Sequence, residues 1–371
     1  MRRHFLRSTL AVAASLWLAA HASAEPLQIV DALGRSVTIQ APVQRVVVNF
    51  NFEEFTAVAG KEGWSRVVGM SRSLWEGWRP AIWKRYAEVI PSLAQMPEIG
   101  NTEDNNFSAE KIIALKPDVM LMADWTWQSL TTARDQLEAA GIPIVVIDYN
   151  AQTLERHLAS TRAIGAVMGT RERAEELARL YEHETRDTMR RIAQAQAGGR
   201  KPKVLVELAR DGAETIGNSY AGTMWGRILD TIGAQNIANG KLVGPWGPLS
   251  PEYVIASDPD FVFLAGSSWT NRPKAVRLGY DIDEGTTRRS LEPYAQRAGW
   301  AGMAAVRNGE IHAIEHGLGR SLMDFAATQY IAKRLYPERF KDVDPIKSLR
   351  DYHARYLPVS FAGVWMLPIK P

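Results

Sequence analysis

Residues 107–123 read FSAEKIIALKPDVMLMA, and residues 249–265 read LSPEYVIASDPDFVFLA. The two segments align without a gap. In each copy a Ser caps a short helix, a Glu lies in the first turn, where negative charge favours the helix dipole, and a Pro-Asp pair ends the helix before an apolar strand. One such unit in each half of the chain predicts two lobes that are structural duplicates.

The rest of the chain alternates short apolar strands with helix-like segments, a pattern typical of parallel, doubly wound sheets. A long amphipathic helix interrupts this alternation near the middle of the chain. We therefore predict an α/β fold with an N-terminal lobe over residues 25–152, a long interlobe helix over 153–169 and a C-terminal lobe over 170–371. The tail from residue 343 onward has no role that the sequence reveals.

The composition excludes several classes of protein. The 371 residues include no cysteine, which excludes disulfide scaffolds, thiolate metal sites, Cys nucleophiles and a lipidated N-terminal cysteine. The chain also lacks Gly-x-Ser-x-Gly, His-Glu-x-x-His and a phosphate-binding loop. We therefore expect no enzymatic activity, with a secreted metal-dependent enzyme as a remote alternative.

The first 24 residues have the pattern of a secretory signal peptide. Arg2, Arg3 and Arg7 precede an apolar run, and Ala22-Ser23-Ala24 fits the small-x-small cleavage pattern. We expect cleavage after Ala24 and export to the periplasm by the Sec or the twin-arginine route. Without this segment the chain has 41 basic and 41 acidic residues, so its charge indicates no nucleic-acid partner. No later stretch reaches 18 uncharged apolar residues, so no stable membrane insertion is expected.

Several segments resemble a known family in their order and spacing. They are the Asp31-x-x-Gly34-Arg35 hairpin, Ala41-Pro42-x-x-Arg45, the two Glu-bearing repeats, and Trp300 to Ile314. The mature chain resembles the periplasmic solute-binding proteins of ABC importers for iron–siderophores, haem, vitamin B12 and related metal chelates. The resemblance implies two lobes joined by one rigid helix, a ligand in the cleft between them, and delivery to a permease dimer with its ATPase. It also implies that Glu110 and Glu252, equivalent in the repeat, dock onto the permease.

Aromatic and basic side chains follow the predicted strands of both lobes. Ligands of parallel α/β sheets bind beyond the carboxyl ends of the strands, so these side chains are candidates for the cleft. The candidate ligand-binding residues are Asn49, Arg72, Trp75, Trp125, Trp127, Arg210, Tyr220, Trp269, Arg272, His316 and Arg320.

The candidate residues indicate the chemistry of the ligand. Flat aromatic walls suit a ligand with planar or aryl groups, and arginines suit an anion. We expect an anionic metal chelate, above all a ferric siderophore, whose metal is carried within the ligand. We also expect the protein to be monomeric and to have no cofactor of its own. His316 and Tyr220 are candidates for direct metal ligation, because imidazole and phenolate bind ferric iron. A molybdate- or tungstate-type oxyanion, haem and a cobamide stay open as alternative ligands.

Overall fold

The computed structural model of the protein describes residues 25–195 and 200–370, so the predicted signal peptide lies outside the described residues. The strands are β1 (Glu25–Val30), β2 (Ser36–Ala41), β3 (Val46–Val48), β4 (Val67–Met70), β5 (Val119–Ala123), β6 (Ile144–Ile147), β7 (Lys203–Leu208), β8 (Asn218–Tyr220), β9 (Gln235–Asn236), β10 (Trp246–Pro248), β11 (Phe261–Gly266), β12 (Ile311–Glu315) and β13 (Met366–Pro368). The α-helices are α1 (Phe52–Ala59), α2 (Ser73–Glu76), α3 (Pro80–Val89), α4 (Ala109–Ala114), α5 (Asp124–Ser129), α6 (Thr131–Ala139), α7 (Leu154–Met168), α8 (Arg171–Ala195), α9 (Met224–Thr231), α10 (Pro251–Ser257), α11 (Glu284–Ala295), α12 (Ala304–Asn308), α13 (Asp324–Leu335) and α14 (Pro345–Tyr356).

The strands form one main sheet in each lobe. The first sheet has the order β4-β3-β5-β6, and all of its pairs are parallel. The second has the order β13-β12-β11-β7-β9, and only β13 is antiparallel to its neighbour. Parallel strands must be covered on both faces, which explains why β3, β5 and β6 are buried along their whole length. The predicted α/β fold of two doubly wound lobes is confirmed.

The sequence repeat corresponds to α4–β5 in the first lobe and α10–β11 in the second. The hydroxyl of Ser108 accepts a hydrogen bond from the amide of Lys111, and the hydroxyl of Ser250 accepts one from Tyr253, each at 3.2 Å. Both serines are therefore N-caps, as the sequence predicts.

The aspartate that ends each repeated helix has a further role. Asp118 accepts a hydrogen bond from the amide of Arg45 at 2.8 Å, and Asp260 accepts one from the amide of Lys203 at 2.8 Å. Arg45 directly precedes β3, and Lys203 begins β7, so each carboxylate fixes the start of the neighbouring strand.

Two helices join the lobes. The predicted interlobe helix is present as α7, which packs on β1, α1 and β6 of the first lobe and against the longer α8. Helix α8 contacts α1 at one end and α13 of the second lobe further along. His157 of α7 also lies 2.8 Å from Asp324 at the start of α13, and both side chains are buried. The lobes are thus linked by a helix pair, and the predicted lobe boundaries stay predictions.

The C-terminal tail is part of the second lobe. Helix α14 packs against α13, and β13 extends the second sheet beside β12. Within residues 25–195 and 200–370, no helix is both long enough and apolar enough to cross a membrane.

Candidate functional site

A cavity of about 270 Å³ lies between the two lobes, beyond the carboxyl ends of the main strands. It is lined by Phe50, Leu74, Trp78, Arg79, Glu103, Trp125 and Asn150 of the first lobe and by Leu208, Arg210, Asn218, Tyr220, Met224, Trp246, Trp269, Asn271, Arg272, His316 and Arg320 of the second. Four arginines against one glutamate make this lining basic, and aromatic rings form much of the remaining wall.

Seven of the sequence-predicted ligand residues meet at this cavity. Six of them, namely Arg210, Tyr220, Trp269, Arg272, His316 and Arg320, come from the second lobe, while Trp125 faces them from the first. These second-lobe residues lie at or after the ends of β7, β8, β11 and β12, and each of these strands ends at the cleft. Ligand binding by these residues stays a prediction.

Two other predicted residues lie behind the cavity wall. Asn49 is buried, donates to the hydroxyl of Ser71 at 3.2 Å and accepts from the amide of Ala123 at 3.3 Å, so it ties together the chain beyond the ends of three strands. Trp75 is buried with its ring centroid 5.4 Å from that of Phe50 and 5.2 Å from that of Phe52. It supports the cavity wall from behind and does not line the cavity.

Arg72 and Trp127 also lie away from the cavity. The guanidinium of Arg72 binds the carboxylate of Glu76, with one contact of 2.9 Å, one turn along the same helical segment. The ring of Trp127 lies between the guanidinium groups of Arg35 and Arg134, at 3.8 and 4.4 Å. The strand-end reasoning treats the segment after β5 as a loop, but it forms α5, and two positions apart on a helix correspond to a rotation of about 200°. Only Trp125 can therefore face the cleft.

Two arginines of the cavity form no ion pair with a carboxylate among the described residues. Arg79 of the first lobe is 5% exposed, and its guanidinium donates to the carbonyl of Leu74 at 3.3 Å. The guanidinium of Arg320 of the second lobe lies 4.9 Å from the ring centroid of Phe50. Neither guanidinium group has a carboxylate oxygen of a described residue within 4.0 Å. The other two arginines of the cavity, Arg210 and Arg272, both contact the carboxylate of Asp211.

The two charges also act on each other. Burial, followed by the nearby charge of Arg320, lowers the pKa of Arg79 to about 10. Burial likewise lowers the pKa of Arg320. Burying a charge without an ion-pair partner is unfavourable, so the two guanidinium groups favour an anion in this cavity.

The two candidate metal ligands lie close together in the second lobe. The ring centroids of Tyr220 and His316 are 6.2 Å apart, and that of Trp269 is 5.8 Å from His316. Burial, with the charges of Arg320, Arg79 and Arg210, lowers the pKa of His316 well below its usual range. Burial raises the pKa of Tyr220, so its phenol keeps its proton at neutral pH. Among the described residues, no group of three or more His, Asp or Glu side chains could hold a metal ion.

Some residues that line the cavity are not among those predicted from the sequence. Asn150 follows β6 by three residues, and the same strand-end rule could have found it. Arg79, Glu103 and Trp246 do not directly follow a strand of a main sheet. Arg79 precedes α3, which reaches the cleft only because of how it packs, so no local signal in the sequence indicates its role.

Contacts between the lobes flank the cavity. The hydroxyl of Thr270 donates to the carbonyl of Gly77 at 3.1 Å, and the carboxylate of Asp281 pairs with the guanidinium of Arg85. On another side, the side-chain amide of Gln152 donates to the carbonyl of Gly319 at 2.8 Å. The structure is therefore a form in which the lobes touch around the cavity.

The two glutamates of the repeat are exposed on separate lobes. Neither Glu110 nor Glu252 makes a side-chain hydrogen bond or an ion pair with a described residue, and both lie in the first turn of their helices, α4 and α10. Both carboxylates are thus available to a partner.

Comparison with known proteins gives a consistent result. The sequence profile of a family described as periplasmic binding protein matches residues 77–316. The crystal structure of the TroA-like periplasmic binding protein FepB from Veillonella parvula superimposes with a TM-score of 0.85 at 34% identity, covering 92% of this chain and 99% of that one.

Two full-length relatives are more distant. The uncharacterised ABC transporter substrate-binding lipoprotein YvrC of Bacillus subtilis is 22% identical in an alignment of 322 positions that covers 85% of this chain and 88% of that protein. The molybdate-binding protein MolA of Haemophilus influenzae is 23% identical in an alignment of 369 positions that covers 90% of this chain and 91% of that protein.

Proposed function

This chain belongs to the periplasmic binding protein family, and we propose that it is the binding component of an ABC importer that captures an anionic metal chelate of the ferric siderophore type. The family that the sequence resembles is thereby confirmed. The proposal places the mature protein in the periplasm, where it works as a monomer, catalyses no reaction and holds no cofactor of its own. The metal enters as part of the cargo.

One observation carries this proposal: Arg79 and Arg320 approach the same cavity from opposite lobes, and neither has a carboxylate partner among the described residues. A ligand with negative charge at this position would satisfy both guanidinium groups and join the two lobes through itself. The aromatic rings of Trp125, Trp269 and Tyr220 add apolar walls that suit an aryl-bearing chelator better than a small inorganic ion.

A second candidate ligand is an oxyanion of the molybdate type. It is favoured by the molybdate-binding relative and by the modest volume of the cavity, which lies just below the roughly 300–1,000 Å³ of typical small-molecule sites. The wide aromatic lining of the cavity favours the chelate over this alternative.

In the proposed function the loaded protein delivers its ligand to the permease in the inner membrane. Glu110 and Glu252 contact the permease, one from each lobe, since both are exposed, equivalent in the repeat and without a side-chain partner among the described residues. Exposed charges of this kind mainly set the orientation and the rate of association. The permease and its ATPase are therefore the proposed macromolecular partners.

Native mass spectrometry of the protein purified from its own periplasm tests the proposed ligand. A chelate adds the mass of an organic anion together with the isotope pattern of its metal, and a ferric chelate adds a visible absorption band. An oxyanion adds a small mass without such a band, and elemental analysis names its metal. A neutral organic ligand without metal would contradict both proposals.

A further inference from the structure

His316 contacts the cavity through one edge of its ring and a buried tryptophan through the other. The indole Nε1 of Trp225 lies 3.3 Å from Nδ1 of His316 and donates its hydrogen to that atom. An indole nitrogen can only donate, so Nδ1 must be the acceptor and therefore carries no proton. The proton of the neutral imidazole is then on Nε2.

Trp225 cannot easily turn away from this contact. Its side chain is fully buried, and Gly319 lies so close that a Cβ there would be 2.6 Å from the indole ring. His316 is the one hydrogen-bond partner that the indole nitrogen has among residues 25–195 and 200–370. The indole therefore holds the imidazole in one tautomer.

We infer that His316 donates a hydrogen bond from Nε2 to an acceptor atom of the ligand and does not ligate the metal. This inference rests on the proposed function for the identity of the cargo as a metal-bearing anion. Metal ligation through Nε2 would require the proton to move to Nδ1, where it would meet the indole hydrogen. Trp225 would then lose the one partner that its indole nitrogen has in the described part of the chain, a penalty that corresponds to roughly 5- to 150-fold in affinity for the metal.

Further hydrogen-bond donors lie in the same cavity, although Glu103 and the side-chain amides of Asn150, Asn218 and Asn271 also offer acceptor oxygens. Arg79 and Arg320 present guanidinium groups, and the indole Nε1 of Trp125 is buried without a hydrogen-bond partner among the described residues. The donors of His316, Arg79, Arg320 and Trp125 suit a shell of acceptor oxygens, such as carboxylates, catecholates or hydroxamates.

The ligand class that follows is a chelate whose own oxygens complete the coordination of the metal. Haem fits less well, because its iron takes an axial side chain from the protein. His316 is thereby a specificity-determining residue that donates a hydrogen bond to an acceptor atom on the surface of the chelate.

The tautomer can be measured without any ligand. In long-range ¹H–¹⁵N correlation spectra of the ¹⁵N-His-labelled apo protein, the signal that His316→Gln removes belongs to His316. We expect a pyridine-like Nδ1 and a protonated, pyrrole-like Nε2. In Trp225→Phe, where the indole donor is missing, the two tautomers should mix. A wild-type protein with its proton on Nδ1 overturns the inference.

Binding experiments test the role toward the cargo. The probes are ferric citrate, a ferric tris-catecholate and Co²⁺ alone. We expect His316→Leu to weaken the binding of a ferric probe by roughly tenfold or more, and His316→Gln, whose amide can donate from a similar position, to recover most of that loss. Co²⁺ alone should give no absorption band that depends on His316.

One result would show that His316 is a metal ligand: a Co²⁺ band that is present with the wild-type protein and disappears in His316→Gln. If the wild-type protein binds neither ferric chelate, the proposed cargo is wrong. The spectra and the Co²⁺ experiment still decide the role of His316 in that case, so the two failures are distinguishable.

Discussion

Replacing Arg79 by glutamine should change ligand affinity and the stability of the empty protein in opposite directions. Arg79 is 5% exposed and has no carboxylate of a described residue within reach, and burial lowers its pKa from 12.5 to about 10. That difference corresponds to about 3 kcal/mol of unfavourable free energy for the charged side chain in the empty cavity at neutral pH. Glutamine is uncharged, so the variant avoids this cost.

The expected gain in stability is smaller than 3 kcal/mol. The variant also loses the packing of the arginine stem and the hydrogen bond to Leu74, which together offset about 1–2 kcal/mol. We therefore expect the free energy of unfolding of the ligand-free protein to rise by about 1–2 kcal/mol, or its melting temperature by about 1–3 °C. With an anionic ligand bound, the same variant loses a buried charged contact of about 2–4 kcal/mol, which lowers affinity roughly 30- to 1,000-fold.

Scanning calorimetry of the ligand-free protein and titration calorimetry with a ferric chelate measure the two effects. Arg162→Gln is the matched control, because Arg162 forms a partly exposed ion pair with Glu175 on the surface of the helix pair. It should change either quantity by less than about 1 kcal/mol. The reasoning is refuted if Arg79→Gln lowers the melting temperature of the empty protein, or if it leaves the affinity unchanged.

Three further predictions concern other parts of the molecule. Burial raises the pKa of Glu54 to about 7, so the folded protein holds a proton that the unfolded chain releases above about pH 4.5. Stability should therefore fall as pH rises from about 4.5 to 7, and Glu54→Gln should flatten this dependence in thermal melts. The same pH dependence of the melting temperature in both proteins would contradict the assignment. Gly319→Ala places a methyl group 2.6 Å from a buried indole, so it should lower stability by about 1–3 kcal/mol and also lower ligand affinity. Gly302 has open space around it, so Gly302→Ala should change neither quantity in the same calorimetric assays. Glu110→Ala and Glu252→Ala should each reduce uptake of labelled cargo by cells and leave binding by the purified protein intact; loss of binding in a folded variant would count against the docking role.

Local signals in the sequence account for much of the fold. The Ser caps and the Pro-Asp stops act through neighbouring residues, so the repeated units α4–β5 and α10–β11 could be located from the sequence. What the sequence did not indicate is that Asp118 and Asp260 reach across to the start of another strand. These contacts join residues about 57 to 73 positions apart, and no local pattern encodes them.

The candidate site was predictable where strands end at the cleft and unpredictable where helices enter it. His316 and Trp269 follow β12 and β11 directly, so their place follows from the topology of a parallel sheet. Trp127 and Arg79 depend on the rotation of α5 and on the packing of α3. Both are decided by tertiary contacts, and these two are the residues on which reasoning from strand ends did worst.

The position of β13 has a consequence for the order in which the protein can be assembled. Residues 366–368, near the end of the chain, pair with β12, and the next residues after β12 carry His316 and Arg320. All four strands of the first sheet lie before residue 148, so their pairing can begin while the chain is still emerging. The edge strand that borders β12, the strand that leads into His316 and Arg320, is therefore added to its sheet much later than the strands of the first sheet.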